Sequence, residues 1–401
     1  MNFKMIKLII LVIALFLFSS GCWDRREVEE LLLSDAIAFD LYQDSDNRPI
    51  YRVSFIAKKL YQNGKEMGMG EEEGDIESED QWTPSSKGYS FEEAINRFSK
   101  RVPKHFYVDH SSIVLWGEEF AKEGVVKSLD YIIRKRGFRL RSHIIVVSGK
   151  MVEFFDTLPE YERTLTEELN IILQKGSIES DYVLINYFGD FARDYLAEGI
   201  DPWAPVMKGI SIKDSPERTE HKRIVVDGVA LFKNDKMVGF LNMQETQAFS
   251  ILKDLANKGV FTVHYEHGEI SLKYEATKVR RKIYIDKGRI KVNYDVEIKG
   301  TINEIYLFSN LTKEELNKLE EQFKIKIQKV LQKGIEKFQE LESDALGIGR
   351  FLHIKYPKVW GEIKHDWHEI YKDINITVDV ELEIEGTNMG YKPLKNVEEE
   401  K

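Results

Sequence analysis

The hydrophobic pattern is sharpest near the C-terminus, where Ile374, Ile376, Val378, Val380, Leu382 and Ile384 alternate with polar residues. That period of two predicts a strand buried on one face. Ahead of it, Leu316, Leu319, Phe323, Ile327, Val330, Leu331, Ile335, Phe338 and Leu341 recur at steps of three and four. With Thr312 and Glu315 as a capping box, they predict a helix over 313–342. At 1.5 Å per residue it would be about 45 Å long. Its charges do not sustain a coiled-coil pattern, so it is expected to lie across a sheet.

The middle of the chain reads mostly as sheet. Ile224–Phe232 and Lys236–Leu241 predict a hairpin, and Gln244–Lys258 a helix. Val260–His267 turns into Glu269–Lys278, and Arg281–Ile285 pairs with Arg289–Ile298 across Asp286-Lys-Gly288. Nearer the N-terminus, strands are expected at Asp35–Asp40, Ile50–Lys58, His105–Trp116 and Arg141–Val147. Helices are expected after the Ser90/Glu93 capping box, over Glu118–Arg136, and twice between Glu160 and Glu198. Strands and helices mix without regular alternation, which predicts an α+β protein. Breaker residues divide it into an N-terminal domain at 22–200 with an acidic loop at 63–88, and a linker at 201–222 carrying Pro202, Pro205 and Pro216. A β-rich middle domain at 223–279, a C-terminal domain at 280–386 with the long helix, and a polar tail at 387–401 complete the division.

The first residues follow a different pattern. Lys4 and Lys7 precede the apolar run Leu8–Phe18, and Ser19-Ser20-Gly21 leads to Cys22. A basic start, an apolar stretch too short to span a bilayer comfortably and a small-residue zone predict a signal peptide over 1–21. Small residues followed by cysteine resemble a bacterial lipobox, in which the thiol takes a diacylglycerol and the freed amine an acyl chain. Ser19 stands where most lipoboxes carry an aliphatic residue. Cys22 is the only cysteine of 401 residues, so it can form no internal disulfide and alone cannot build a thiolate metal cage. Cleavage would remove two lysines and no acid, taking the formal charge of −10 to −12. That balance argues against a nucleic-acid binder, and 42 % hydrophobic residues exclude a wholly disordered chain.

Motifs for chemistry are sparse. Nucleophile elbow, phosphate loop and zinc-protease signature are all missing, and no cofactor motif is complete. Gly347 and Gly349 make a fragment of a dinucleotide fingerprint, but they follow a helix instead of a strand. His365 and His368 have the spacing of two metal ligands, yet no third ligand is visible and Trp367 between them suggests packing. His105, Asp109 and His110 read the same way. The basic cluster Arg134, Lys135, Arg136, Arg139 and Arg141 suits the end of a helix, with an acidic partner or lipid headgroups as the alternative. Neither a metal site nor a catalytic site is assigned; Cys22 is the one residue given a chemical role.

Three blocks resemble a known family. Cys22-Trp-Asp-Arg-Arg-Glu-Val-Glu-Glu30, leading to Ala36-Ile-Ala-Phe-Asp40, is similar to the mature start of the C-subunit lipoproteins of spore germinant receptors, the Ger(x)C family. Asp227-Gly-Val-Ala-Leu-Phe-Lys-Asn-Asp-Lys-Met-Val-Gly-Phe-Leu241 resembles that family's central block. Ser343-Asp-Ala-Leu-Gly-Ile-Gly349, with Tyr356-Pro-Lys-Val-Trp360 and Trp367, resembles its C-terminal signature. The resemblance implies three consecutive α+β domains and a non-enzymatic receptor subunit, lipid-anchored on the outer face of the spore inner membrane. It implies two integral membrane partners, one transporter-like, with nutrient binding on that partner and no ligand pocket here. Phe232, Gly239 and Asp344–Gly349 are then expected to serve folding before any interface. The alternative is a lipid-anchored solute-binding protein of an importer, which usually has two α/β lobes around a cleft.

Overall fold

The computed structural model describes residues 31–58 and 81–387, apart from 103, 136–137, 158, 213–220, 257, 266–267 and 306–312, together with Phe3 and Met5. Cys22, the signal peptide, the acidic run Glu71–Asp80 and the tail beyond Thr387 lie outside these residues. The fold is α+β, with two sheets among the described residues.

The first sheet has ten strands. In chain order these are β1 (Leu31–Gln43), β2 (Pro49–Lys58), β3 (Gln81–Trp82), β4 (Ser85–Gly88), β5 (His105–Tyr107), β6 (Ile113–Gly117), β7 (His143–Val147), β8 (Trp203–Ile212), β9 (His221–Lys233) and β10 (Lys236–Leu241). The main path runs β10-β9-β8-β7-β6-β1-β2-β3, with β4 on β2 and β5 on β1. Along this path β1, β6, β7 and β8 run parallel to one another, and the pairs β1–β2 and β8–β9 on either side are antiparallel. Both faces of the sheet centre are covered, so its strands are apolar throughout. Ile37, Phe39, Val114, Trp116, Ile144 and Val146 face the aromatic layer of α1 (Phe91–Ser99), α2 (Glu118–Glu123), α3 (Val126–Arg134) and α6 (Phe188–Leu196). Ala36, Ala38, Ile113, Leu115, Ile145 and Val147 face α4 (Met151–Phe155) and α5 (Leu165–Glu179) on the other side.

The second sheet is β11 (Gly259–Tyr265), β12 (Gly268–Asp286), β13 (Arg289–Ile305) and β14 (Asn375–Thr387), in that order. It is antiparallel until β14, which runs parallel to β13. The crossover between them holds α8 (Lys313–Glu340), α9 (Ile348–Lys355), α10 (Pro357–Ile363), a 3-10 turn and α11 (Trp367–Lys372). The expected long helix lies on this sheet's one buried face, with Leu319, Phe323, Ile327, Leu331 and Phe338 in the shared core. Between the sheets, α7 (Met243–Leu252) places Phe249 edge-on to both Trp203 of β8 and Phe338 of α8.

Several expected boundaries differ from the structure. Residues 203–212 of the expected linker are β8, inside the first sheet. Trp203, Ala204, Val206 and Met207 are buried there, and Pro205 sits just ahead of the short pairing with β7, where only β9 flanks the strand. The division at 279/280 falls inside β12, which pairs with β13 from Ile270 to Asp286 with irregularities at 271/272 and 274/276 and an unbroken register from Ala276 onward. Its run of cations hides a strand because Arg280 and Lys282 meet Glu297 and Asp295 across the exposed face, each at 2.6 Å. The β-rich middle is therefore split: β9 and β10 belong to the first sheet, β11 and β12 to the second. Within the expected acidic loop, residues 81–82 and 85–88 pair with β2; serines without apolar alternation leave no strand signal. The expected helix 118–136 is two helices, broken at Gly124-Val125.

Candidate functional site

The C-terminal signature block sits where the two sheets meet. Past the end of α8 the chain turns at Glu342, whose carboxylate Lys233 and Lys372 hold at 2.7 and 3.0 Å. These two ammonium groups bring its pKa down to about 2. Ser343 donates to the Phe232 carbonyl at 2.6 Å, tying the block to β9. Asp344 is then fully buried.

An ionised carboxylate needs donors when water is removed. Asp344 has three: Oδ1 accepts the Ile348 N–H at 2.8 Å, and Oδ2 accepts the Gly349 N–H at 2.7 Å and the Trp367 indole N–H at 3.0 Å. It thus caps α9 and anchors α11. Burial nevertheless pushes its pKa up to about 7; the Asp201 charge adds to that rise, and the three donors oppose it.

Asp201, at the entry to β8, completes the joint from the other side. Its Oδ2 accepts the Asp344 N–H at 2.8 Å, its Oδ1 the Asn234 N–H at 2.9 Å, and its own N–H donates to the Asp344 carbonyl at 3.1 Å. His368 Nε2 stands 3.0 Å from the same carboxylate. Close by, Trp360 donates to Glu198 at 2.9 Å and packs on Trp367 with ring centroids 5.2 Å apart. Glycines permit the approach. A Cβ on Gly349 would lie 2.7 Å from the Trp367 ring, and the Arg350 N–H reaches the Gly199 carbonyl at 2.5 Å.

This arrangement is built to hold two sheets together. Asp344 is out of reach of any substrate, so its raised pKa reflects burial. His368 is committed to Asp201, His365 is exposed, and the described residues contain no group of three His, Cys, Asp or Glu side chains poised for a metal. Gly347 and Gly349 serve the Asp344 cap. Phe232 is a core ring against Trp116 and Phe191, and Gly239 faces Leu341. In the basic cluster Arg134 pairs with Asp130 at 2.8 Å and Lys135 with Glu92 at 2.9 Å, Arg141 lies over the Tyr187 ring, and Arg136 lies outside the described residues. His110 lies 4.0 Å from Asp35. Asp201 was hidden from sequence reasoning by its prolines. Asp344, an acid directly ahead of Ala-Leu-Gly-Ile-Gly, carried the visible signal of a buried charge.

The same block bears on ancestry. Residues 24–209 match the model "Spore germination protein N-terminal domain", and residues 227–388 match "Spore germination B3/ GerAC like, C-terminal". The chain belongs to the GerAC/GerBC-like family of spore germination proteins. It is similar to spore germination protein B3 of Bacillus subtilis (strain 168), 24 % identical over 371 residues that cover 91 % of this chain and 93 % of the relative. It is also similar to spore germination protein GerQC of Bacillus cereus, 22 % identical over 94 % of this chain and 97 % of that one. The crystal structure of the GerBC protein shares the fold, with a TM-score of 0.56 at 20 % identity, covering 90 % of this chain and 99 % of that chain. In this family member the signature block is the inter-sheet joint.

Two outcomes are expected. Asp344→Ala leaves three N–H groups without an acceptor in a buried site and should lower the unfolding free energy by about 3 kcal/mol or more, read by urea denaturation. With its folded pKa raised from 3.8 to about 7, Asp344 contributes most to stability at acid pH, and that contribution is lost as pH rises through 7. Asp344→Asn should remove this part of the slope; equal slopes in variant and wild type would contradict the assignment.

Proposed function

We propose that this chain is the lipid-anchored, non-enzymatic C subunit of a nutrient germinant receptor. The observation that carries the reading is the coincidence of two features. The family match begins at residue 24, two positions after the lone Cys22, and runs almost to the end of the chain. Ahead of it stands a basic, apolar, small-residue leader. Cleavage before Cys22 leaves a mature chain whose first residue carries the diacylglycerol and the N-acyl chain.

Anchoring is a matter of free energy. Each buried methylene contributes about 0.8 kcal/mol, so several acyl chains on one residue hold firmly where one would hold marginally. No helix among the described residues is long and apolar enough to cross a membrane; in this reading the lipid on Cys22 is the anchor. The body sits on the outer face of the spore inner membrane and assembles with two integral membrane subunits, one transporter-like, to trigger germination. Tethering raises the effective concentration to about millimolar, so weak contacts with those subunits suffice for assembly. Nutrient binding falls to the transporter-like partner.

Cys22→Ala should move the protein from the membrane to the soluble fraction of spores and reduce the nutrient response. A full response from unlipidated, soluble protein would overturn the tethering role.

A further inference from the structure

Beside the joint lies a cleft whose charge is opposite to that of the chain. It has a volume of about 560 Å³ and is lined by Arg193, Lys253, Arg281, Arg350, Phe351 and Ile354, among others. Its one carboxylate, Asp194, is 3.4 Å from Arg193, which also pairs with Asp190 at 2.6 Å. Lys253, Arg281 and Arg350 make no ion pair among the described residues. Three cations without a direct ion pair among the described residues therefore line one cavity in a protein of net charge −10.

The cations are also held in place. The Arg281 guanidinium is packed between the Tyr294 and Phe351 rings, 5.7 and 5.3 Å from their centroids. One of its nitrogens donates to the Leu346 carbonyl at 2.7 Å, while its buried Nε has no partner. Lys253 donates to the Ala345 carbonyl, in the signature block. Burial pushes the Lys253 ammonium down to about 8; Asp194 and Asp344 oppose that fall, while Arg281 and Arg193 add to it. Arg350 emerges from α9 with its side chain half-buried. Phe351 and Ile354, 36 % and 73 % exposed, give the cleft an apolar rim.

Guanidinium forks pair best with the oxygens of phosphate or carboxylate, and a phosphate monoester brings a charge of about −1.5 to −2 at neutral pH. We propose that this cleft binds a phosphate-bearing anion, with Arg281 and Arg350 as fork donors and Lys253 as the third cation. The group can arrive free in solution or as the headgroup of an acidic lipid. The site does not depend on the receptor reading of the previous section and stands if that reading fails.

Thermal unfolding of the full chain tests it, because a ligand bound only by the folded state raises the melting temperature. In detergent, millimolar inorganic phosphate should raise the melting temperature above that in sodium chloride of equal ionic strength. In vesicles, phosphatidylcholine with phosphatidic acid should do so relative to phosphatidylcholine alone. Arg350→Ala, whose side chain makes no hydrogen bond among the described residues, should melt like wild type without ligand and bind about tenfold or more weakly. A shift with phosphate identifies a soluble ligand, and one with phosphatidic acid alone a headgroup. No shift in either arm, or equal shifts in wild type and Arg350→Ala, would overturn the proposal.

Discussion

A carboxylate removed from water must be met by donors, and the way Asp344 is met determines how this chain is assembled. Its three N–H partners come from the start of α9 and from α11. Its own main chain is clasped by Asp201 at the entry to β8. The second sheet's crossover helices are thereby tied to the first sheet through a single buried group. Around this point the fixed contacts accumulate: Ser343 on Phe232, Glu342 between two lysines, Trp360 on Glu198 and Phe249 wedged between Trp203 and Phe338.

Much of this architecture was legible in the sequence, where apolar periodicity is strong. The hairpins β1–β2 and β9–β10, the long helix and the last strand follow directly from alternation or three-four spacing. What escaped was decided by partners distant in the chain. β8 looks like a proline-rich linker until its buried residues meet β7 and β9, and β12 looks interrupted until its cations meet the acids of β13. The serines of β4 become a strand only because β2 offers an edge. A joint made of Asp201 and Asp344 is likewise a long-range fact. Only the acid set among small and apolar residues hinted at it, together with the resemblance of that block to a family signature.

The joint also gives the signature block a physical meaning. Its glycines allow the backbone of α9 to press against Gly199 and Trp367, and its aspartate caps that helix. Gly347, Gly349 and His368, which look like fragments of a nucleotide or metal motif, are absorbed into a structural role. The same segment borders the cationic cleft, since Ala345 and Leu346 accept from Lys253 and Arg281. The anchoring we propose at Cys22 would act on a body whose two sheets are joined at Asp201 and Asp344.

Calorimetry of wild type and Asp201→Ala tests that central claim most directly. If the two sheets are one cooperative unit held by the Asp201–Asp344 joint, wild type melts in a single transition. In Asp201→Ala, the transition should split in two or fall markedly in temperature. Two independent transitions in wild type, or an unchanged single transition in the variant, would contradict it.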